Sequence, residues 1–321
     1  MHSFQELSEE FEKRFNVRHF PVHTPSLYDP AQYILSIKGK RIRPVCVYMA
    51  NELFDVVNDD AYNAAASIEL FHNFSLIHDD IMDKAPLRRG METVHHKYGN
   101  NTALLAGDVM FVTAYEYLSK ISKPYLPRSI EIFNKTAKEV CEGQQLDMDF
   151  EKKPDISFDE YLQMIILKTS VLVAASLQMG AVLGGAGLGN QGHLYEFGKN
   201  LGIAFQIQDD YLDAFGHVSK TGKQQGGDIL SNKKTFLMIH AREKCTGAAK
   251  NELDIFLKSH TEDKVEKVLQ IFRDCKADEW ATQLKEKYYR IALQHLDNVA
   301  VLAVRKKELK KLAENLMDRE N

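Results

Sequence analysis

Two apolar stretches of this chain end in the same pattern, Asp-Asp-x-x-Asp, and that repeat limits the fold more than any other feature. The first copy is Asp79-Asp80-Ile81-Met82-Asp83, after a nearly continuous apolar run from Ala61. The second is Asp209-Asp210-Tyr211-Leu212-Asp213, after a similar run from Leu194. Residues four apart share one face of a helix, about 6 Å apart along its axis. Asp79 and Asp83 therefore form a carboxylate pair that repels itself unless hard cations bridge it. A single acidic helix end followed by basic residues, here Arg88 and Arg89, is ordinary in soluble proteins. The second copy points further, to two clusters that face one another and hold several Mg²⁺ ions. Oxygen-only ligands favour Mg²⁺ over zinc, and two carboxylate walls call for a strongly anionic partner such as a diphosphate.

Helical periodicity accounts for most of the remaining chain. Phe4, Leu7, Phe11 and Phe15 fall at helical spacing over residues 3–15, after which Pro21, Pro25 and Pro30 are expected to break the chain. A helix from Tyr33 leads into Lys38-Gly39-Lys40-Arg41-Ile42-Arg43-Pro44, and an apolar helix follows from Val45 to Phe54. Cationic side chains clustered beside a glycine suit a phosphate cradle or, equally, a solvated basic turn. His72 shares a face with Asp79, whereas His78 reads as a satisfied polar group. Further helices are expected over 102–118, from Pro127 to Phe150, from Phe158 to Gly184 and from Leu194 to Phe215. The glycines at 184, 185, 187, 189 and 192 read as a flexible connector, because no strand precedes them and no nucleotide-loop spacing fits. A polar loop over 216–234 and amphipathic helices over 235–317 complete the chain.

A period-two β pattern persists almost nowhere. The expectation is an all-α, single-domain bundle over 1–321, with an N-terminal helix and linker over 1–30. Ten or more helices would surround a deep central cavity, with charge at its mouth and an apolar tunnel below. Composition excludes several other classes. The chain is 44% hydrophobic and 27% charged, a globular balance, and its formal charge of -4 leaves no footprint for nucleic acid. The first 20 residues lack the apolar core of a signal peptide, and polar residues interrupt the longest apolar runs too early for stable membrane insertion. Four scattered cysteines fit reduced thiols, so a cytoplasmic protein is expected.

Taken in order, Gly39-Lys-Arg-Ile-Arg-Pro44, His72, Asp79-Asp-Ile-Met-Asp83, Arg88-Arg-Gly90, Glu142-Gly-Gln144 with Asp147, Lys168-Thr169, Gln206 with Asp209-Asp-Tyr-Leu-Asp213, Gly222-Lys223, Gly227-Asp228 and Lys233 closely resemble the trans-isoprenyl diphosphate synthases, the polyprenyl synthetase family. The resemblance spans nearly the whole chain. It implies an isoprenoid synthase fold and a homodimer that condenses isopentenyl diphosphate with an allylic diphosphate (dimethylallyl, geranyl or farnesyl), releasing diphosphate.

The resemblance further implies Asp79, Asp83 and Asp209 as principal ligands to as many as three Mg²⁺ ions. Asp80 and Asp213 would contribute through hydrogen bonds or metal-bound water. Arg88, Lys168, Lys223 and Lys233 would clamp the allylic diphosphate, and Lys40, Arg43, His72 and Arg89 would hold isopentenyl diphosphate. Thr169 and Gln206 would present oxygen dipoles to the allylic cation. Lys38 replaces a glycine and Gln224 a proline that many members carry, and the last helix lacks the arginine-rich tail of some members. A terpene cyclase would use similar metals but would not need a second diphosphate site. A non-catalytic partner subunit would typically have lost aspartates that are complete here.

Chain length is expected to be set by residues before the first cluster: Phe74 five before Asp79, Ser75 four before and Phe71 eight before. One aromatic at the fifth position, with no insertion in the cluster, is similar to the archaeal-type twenty-carbon arrangement. Geranylgeranyl diphosphate is therefore the expected product, with farnesyl diphosphate the alternative.

Overall fold

Helix boundaries follow local chemistry at nearly every turn of the chain. The computed structural model describes residues 1–37, 39–216, 225–258 and 261–318. Helix α1 spans Phe4–Phe15, opened by a reciprocal capping box between Ser3 and Glu6, and it buries Leu7, Phe11 and Phe15 on one stripe. The prolines that follow behave differently from expectation. Pro25 begins helix α2, Pro25–Ser36, and Pro30 lies inside it. At the first helical position a missing N–H costs nothing, whereas Pro30 forgoes one helical hydrogen bond. Helix α3 spans Ile42–Glu52. Helix α4, Asp59–Met82, starts where the Asn58 side chain accepts from the Ala61 N–H, and two acidic residues favour its first turn.

Two residues of strand on each side, Leu87–Arg88 (β1) and Met91–Glu92 (β2), form an antiparallel hairpin, a small exception to helix among the described residues. Helices α5 (Val94–Tyr98) and α6 (Asn100–Leu118) follow, then α7 (Leu126–Lys152). The helix expected from Phe158 is present but not uniform. It runs as α8 (Phe158–Ile165), a π-helical turn over Ile166–Ser170 and α9 (Val171–Leu183). This stretch is long and apolar enough to cross a membrane, but 78% of its apolar window is buried within the protein, as in a core helix. Helix α10, Leu188–Phe215, starts earlier than expected, so Gly189 and Gly192 are helical rather than connector residues. A short helix over Gly227–Leu230 and helices over Phe236–Lys244, Gly247–Lys258, Lys264–Asp274, Ala277–Asp297 and Ala303–Met317 complete the described chain.

The chain divides into two compact units. The first comprises residues 1–137, 175–195 and 299–308. In it α4 lies along α6, with α3 and α2 packed beside this pair. The second comprises residues 138–174, 196–298 and 309–321. Its core gathers Tyr161, Ile165, Ile203, Ile207, Phe236 and Phe272, and the lone Trp280 closes one edge, stacked on His240 with ring centroids 4.4 Å apart.

Candidate active site

In the first unit, the three aspartates at the end of α4 do not behave alike. Asp79 and Asp83 keep access to solvent, whereas Asp80 is 2% exposed. The Arg88 Nε donates to both Asp80 oxygens at 2.9 Å, and its Nη2 lies 3.3 Å from Asp79. Burial raises the Asp80 carboxyl above its ordinary range, opposed by the Arg88 hydrogen bonds. The middle aspartate thus anchors Arg88, and the outer two keep their solvent-facing positions at the helix end.

The hairpin explains why Arg88, Arg89 and Gly90 are consecutive. Arg88 pairs with Met91, so Arg89 and Gly90 form a two-residue turn, both at positive φ (52° and 78°). A turn of this hand needs two left-handed residues, which glycine adopts without strain. Arg88 then faces back to α4, while Arg89 lies over Gly39, where a Cβ would sit 2.5 Å from the guanidinium Nη1. A larger residue at 39 would push the Arg89 guanidinium aside.

Beside them, Arg43 Nη1 is 3.1 Å from His72 Nε2. Burial first, then the charges of Arg43 and Arg89, hold the His72 imidazole well below its ordinary pKa. A neutral ring facing a guanidinium accepts at Nε2, which leaves its hydrogen on Nδ1. The Arg43 Nε is buried, and among the described residues it has no hydrogen-bond partner. Such an orphaned cationic donor is costly unless an anion reaches it. Arg41 does not join this group. Its side chain turns inward to carboxylates, so Arg43 and Arg89 carry the cationic character around His72.

The second unit repeats the division of labour. On α10, Asp209 and Asp213 are partly exposed, whereas Asp210 is buried and accepts from the Tyr161 hydroxyl at 2.5 Å and the Gln206 Nε2 at 2.9 Å. Burial pushes the Asp210 carboxyl up to about 7. With its amide N–H₂ held by Asp210, Gln206 keeps its carbonyl oxygen for another partner. Asp213 Oδ2 accepts from the Asp228 N–H at 2.9 Å and so fixes the Gly226-Gly227-Asp228 turn. Lys233 lies 3.7 Å from the Asp228 carboxylate.

Lys168 and Thr169 sit on the π-helical turn, a local widening that recurs at functional sites. Neighbouring helices pack closely on it: a Cβ on Gly143 of α7 would lie 2.3 Å from the Lys168 nitrogen, and one on Gly202 of α10 would lie 2.9 Å from the Ser170 Cα. Lys168 Nζ pairs with Asp147, a turn further along α7, at 2.6 Å. Lys223 lies outside the described residues, as do Lys38, Gly222 and Gln224.

Phe74 stacks on Phe111 of α6 with ring centroids 4.9 Å apart, and Phe71, 1% exposed, meets both Phe111 and Phe133. The Ser75 hydroxyl is folded back onto the His72 carbonyl. Sequence patterning missed Phe111 and Tyr161, since each sits in an ordinary apolar helix and only packing reveals its partner. In the second unit a separate depression of about 210 Å³, lined by Asp155, Lys234, Arg242 and Asp254 among others, is already occupied by Arg242 ion pairs to both aspartates.

Among the described residues no three His, Cys, Asp or Glu side chains are gathered as a ready-made metal cage. Carboxylates at solvent-accessible helix ends nonetheless suit Mg²⁺, which keeps several waters and is completed by substrate phosphates rather than by an all-protein shell.

Known proteins resemble this chain over most of its length. The polyprenyl synthetase family model matches residues 24–274. The geranylgeranyl diphosphate synthase of Methanosarcina mazei is 39% identical over 281 residues, covering 86% of this chain and 85% of that one. A geranylfarnesyl diphosphate synthase from Natronomonas pharaonis is 40% identical over 243 residues, covering 70% and 71%. A crystal structure of a geranylgeranyl pyrophosphate synthase superposes with a TM-score of 0.95 at 41% identity over the full length of both chains. The chain belongs to the polyprenyl synthetase family and is a trans-prenyltransferase.

Proposed function

We propose that this enzyme joins isopentenyl diphosphate head-to-tail to an allylic diphosphate, with geranylgeranyl diphosphate as the main product. The observation that carries this reading is the group formed by Arg43, Arg89 and neutral His72, with an unpartnered Arg43 Nε at its centre. It offers a second diphosphate a seat that cyclisation of one substrate would not use.

Each residue has a part. Asp79, Asp83 and Asp209 are the proposed Mg²⁺ ligands, and Mg²⁺ when bound neutralises the charge that grows on the leaving diphosphate. Arg88 and Lys168, with Lys223 and Lys233, grip the allylic diphosphate. Asp80 orients Arg88, and Asp147 orients Lys168. The Thr169 hydroxyl and the Gln206 carbonyl face the allylic cation with oxygen dipoles. Lys40, Arg43 and Arg89 hold isopentenyl diphosphate so that its double bond attacks that cation, and the released diphosphate takes the proton afterwards. The reaction requires that water be kept from the cation, which it would quench.

Farnesyl diphosphate is the second reading, favoured by Phe71, which places another ring beneath Phe74. Incubation with isopentenyl diphosphate and each allylic primer of five, ten or fifteen carbons should give twenty-carbon product from all three. Accumulation at fifteen carbons would select the farnesyl reading. Arg89→Ala should chiefly raise KM for isopentenyl diphosphate and Lys168→Ala KM for the allylic substrate. A loss confined to the allylic substrate in both variants would remove the second diphosphate seat.

A second copy of the chain is the proposed partner. Leu104, Leu105, Val112 and Tyr115 of α6 are between 36% and 57% exposed. Their spacing gives one apolar stripe, which a dimer contact would cover. Light scattering at micromolar protein should report the dimer mass. A monomer at that concentration would exclude this role for the stripe.

A further inference from the structure

Arg41 stands between the two basic residues assigned to isopentenyl diphosphate, yet its own side chain points the other way. It is 7% exposed, and its backbone is left-handed at φ 48°. Its Nε donates to Glu12 Oε1 at 2.6 Å, Nη1 to Glu69 Oε1 at 2.5 Å and Nη2 to the Leu35 carbonyl at 3.2 Å. Glu69 Oε1 also accepts from Asn73 Nδ2 at 3.1 Å, and the guanidinium lies over the Phe15 ring. One side chain therefore ties together α1, the end of α2, the start of α3 and α4.

Packing alone does not account for this arrangement. A buried ion network gains little stability over apolar residues of the same shape, because desolvation offsets the attraction. What it fixes well is geometry, since a planar guanidinium fork accepts partners in few orientations. Left-handed backbone at a non-glycine residue persists only where its surroundings hold it. The neighbours of Arg41 on either side differ in setting: Lys40 is exposed, and Arg43 reaches His72.

We propose that Glu12 and Glu69, acting through Arg41, are positioning residues for isopentenyl diphosphate, so that the N-terminal helix α1 is part of the second-substrate site. The proposal rests on the assignment of Lys40 and Arg43 to that substrate.

Glu12→Gln tests it with little risk to folding, because the Glu12 side chain is 38% exposed and the amide keeps its volume. The expected result is a rise of about five- to tenfold in KM for isopentenyl diphosphate, with kcat and the allylic KM within about twofold of the parent. Arg41→Lys should move the same constant further, since one ammonium cannot span both carboxylates in a fork. Lys40→Ala, assayed alongside, separates the two levels. If it leaves KM for isopentenyl diphosphate unchanged, the ligand assignment fails and the proposal with it. If Lys40→Ala raises that KM while Glu12→Gln does not, the assignment stands and Glu12 merely packs. Equal effects of Glu12→Gln on both substrates, or a lower melting temperature with unchanged kinetics, also overturn the positioning role.

Discussion

Asp79→Ala and Asp209→Ala should each lower turnover about a thousandfold or more at saturating Mg²⁺ and both substrates, since each removes a charge that stabilises the departing diphosphate. Neither should weaken the apo fold. Asp79 is a partly exposed carboxylate at a helix end, and Arg88 keeps its closer contacts to Asp80 when Asp79 is lost. Relief of carboxylate repulsion should hold or raise the melting temperature. Asp80→Ala is the informative contrast. It leaves the Arg88 guanidinium, itself largely enclosed, without its main partner, and breaking such a buried pair costs about 3–5 kcal/mol. Activity of radiolabelled product formation, read beside thermal melts, separates the two behaviours. Near-normal turnover in purified Asp79→Ala or Asp209→Ala would remove the aspartates as metal ligands. A melting temperature unchanged by Asp80→Ala would remove its anchoring role.

That contrast was partly legible in the sequence. Successive helical residues project about 100° apart, so Asp80 had to leave the face shared by Asp79 and Asp83. The sequence could not say that Arg88 would meet it, because the meeting depends on a turn eight residues away. The same distinction holds along the chain. Helix α1 was readable from three aromatic rings at helical spacing, and α4 from its apolar run. The π-helical turn was not, because the residues packed closely on it include Gly143 and Gly202, both distant in sequence. Pro30 looked like a breaker, and local propensity was overruled by burial of Pro30, Ala31, Ile34 and Leu35 on one side of α2. Glycines at 189 and 192 looked like a connector for the same reason. Arg41 read as a third cation of the basic loop, since nothing local marks Glu12 and Glu69 as its partners.

Phe74→Ala should lengthen the product, and Phe111 should prove to share control with it. Phe74 lies about 7.5 Å down the axis of α4 from Asp79, whereas an extended twenty-carbon tail is roughly 18 to 20 Å long. The tail must pass the Phe74 level or bend around it. On this reading it would meet two rings rather than one, because Phe74 and Phe111 are stacked within 19° of parallel. Truncating either ring removes one plate of that stack and leaves space for a further five-carbon unit. Phe74 is only partly buried, so its loss should cost less stability than that of a fully enclosed ring. Phe71 differs, being 1% exposed and in contact with Phe74, Phe111 and Phe133. Phe71→Ala should therefore lose about 3–5 kcal/mol of stability, and it should lengthen product only if its ring also reaches the tail. Chromatography of dephosphorylated products should show twenty carbons from the parent, longer chains from Phe74→Ala and from Phe111→Ala, and the longest distribution from the double variant. An unchanged distribution in folded Phe74→Ala would sink its role as the floor, and with it the preference for twenty carbons. Lengthening by Phe74→Ala but not by Phe111→Ala would place the floor on α4 alone.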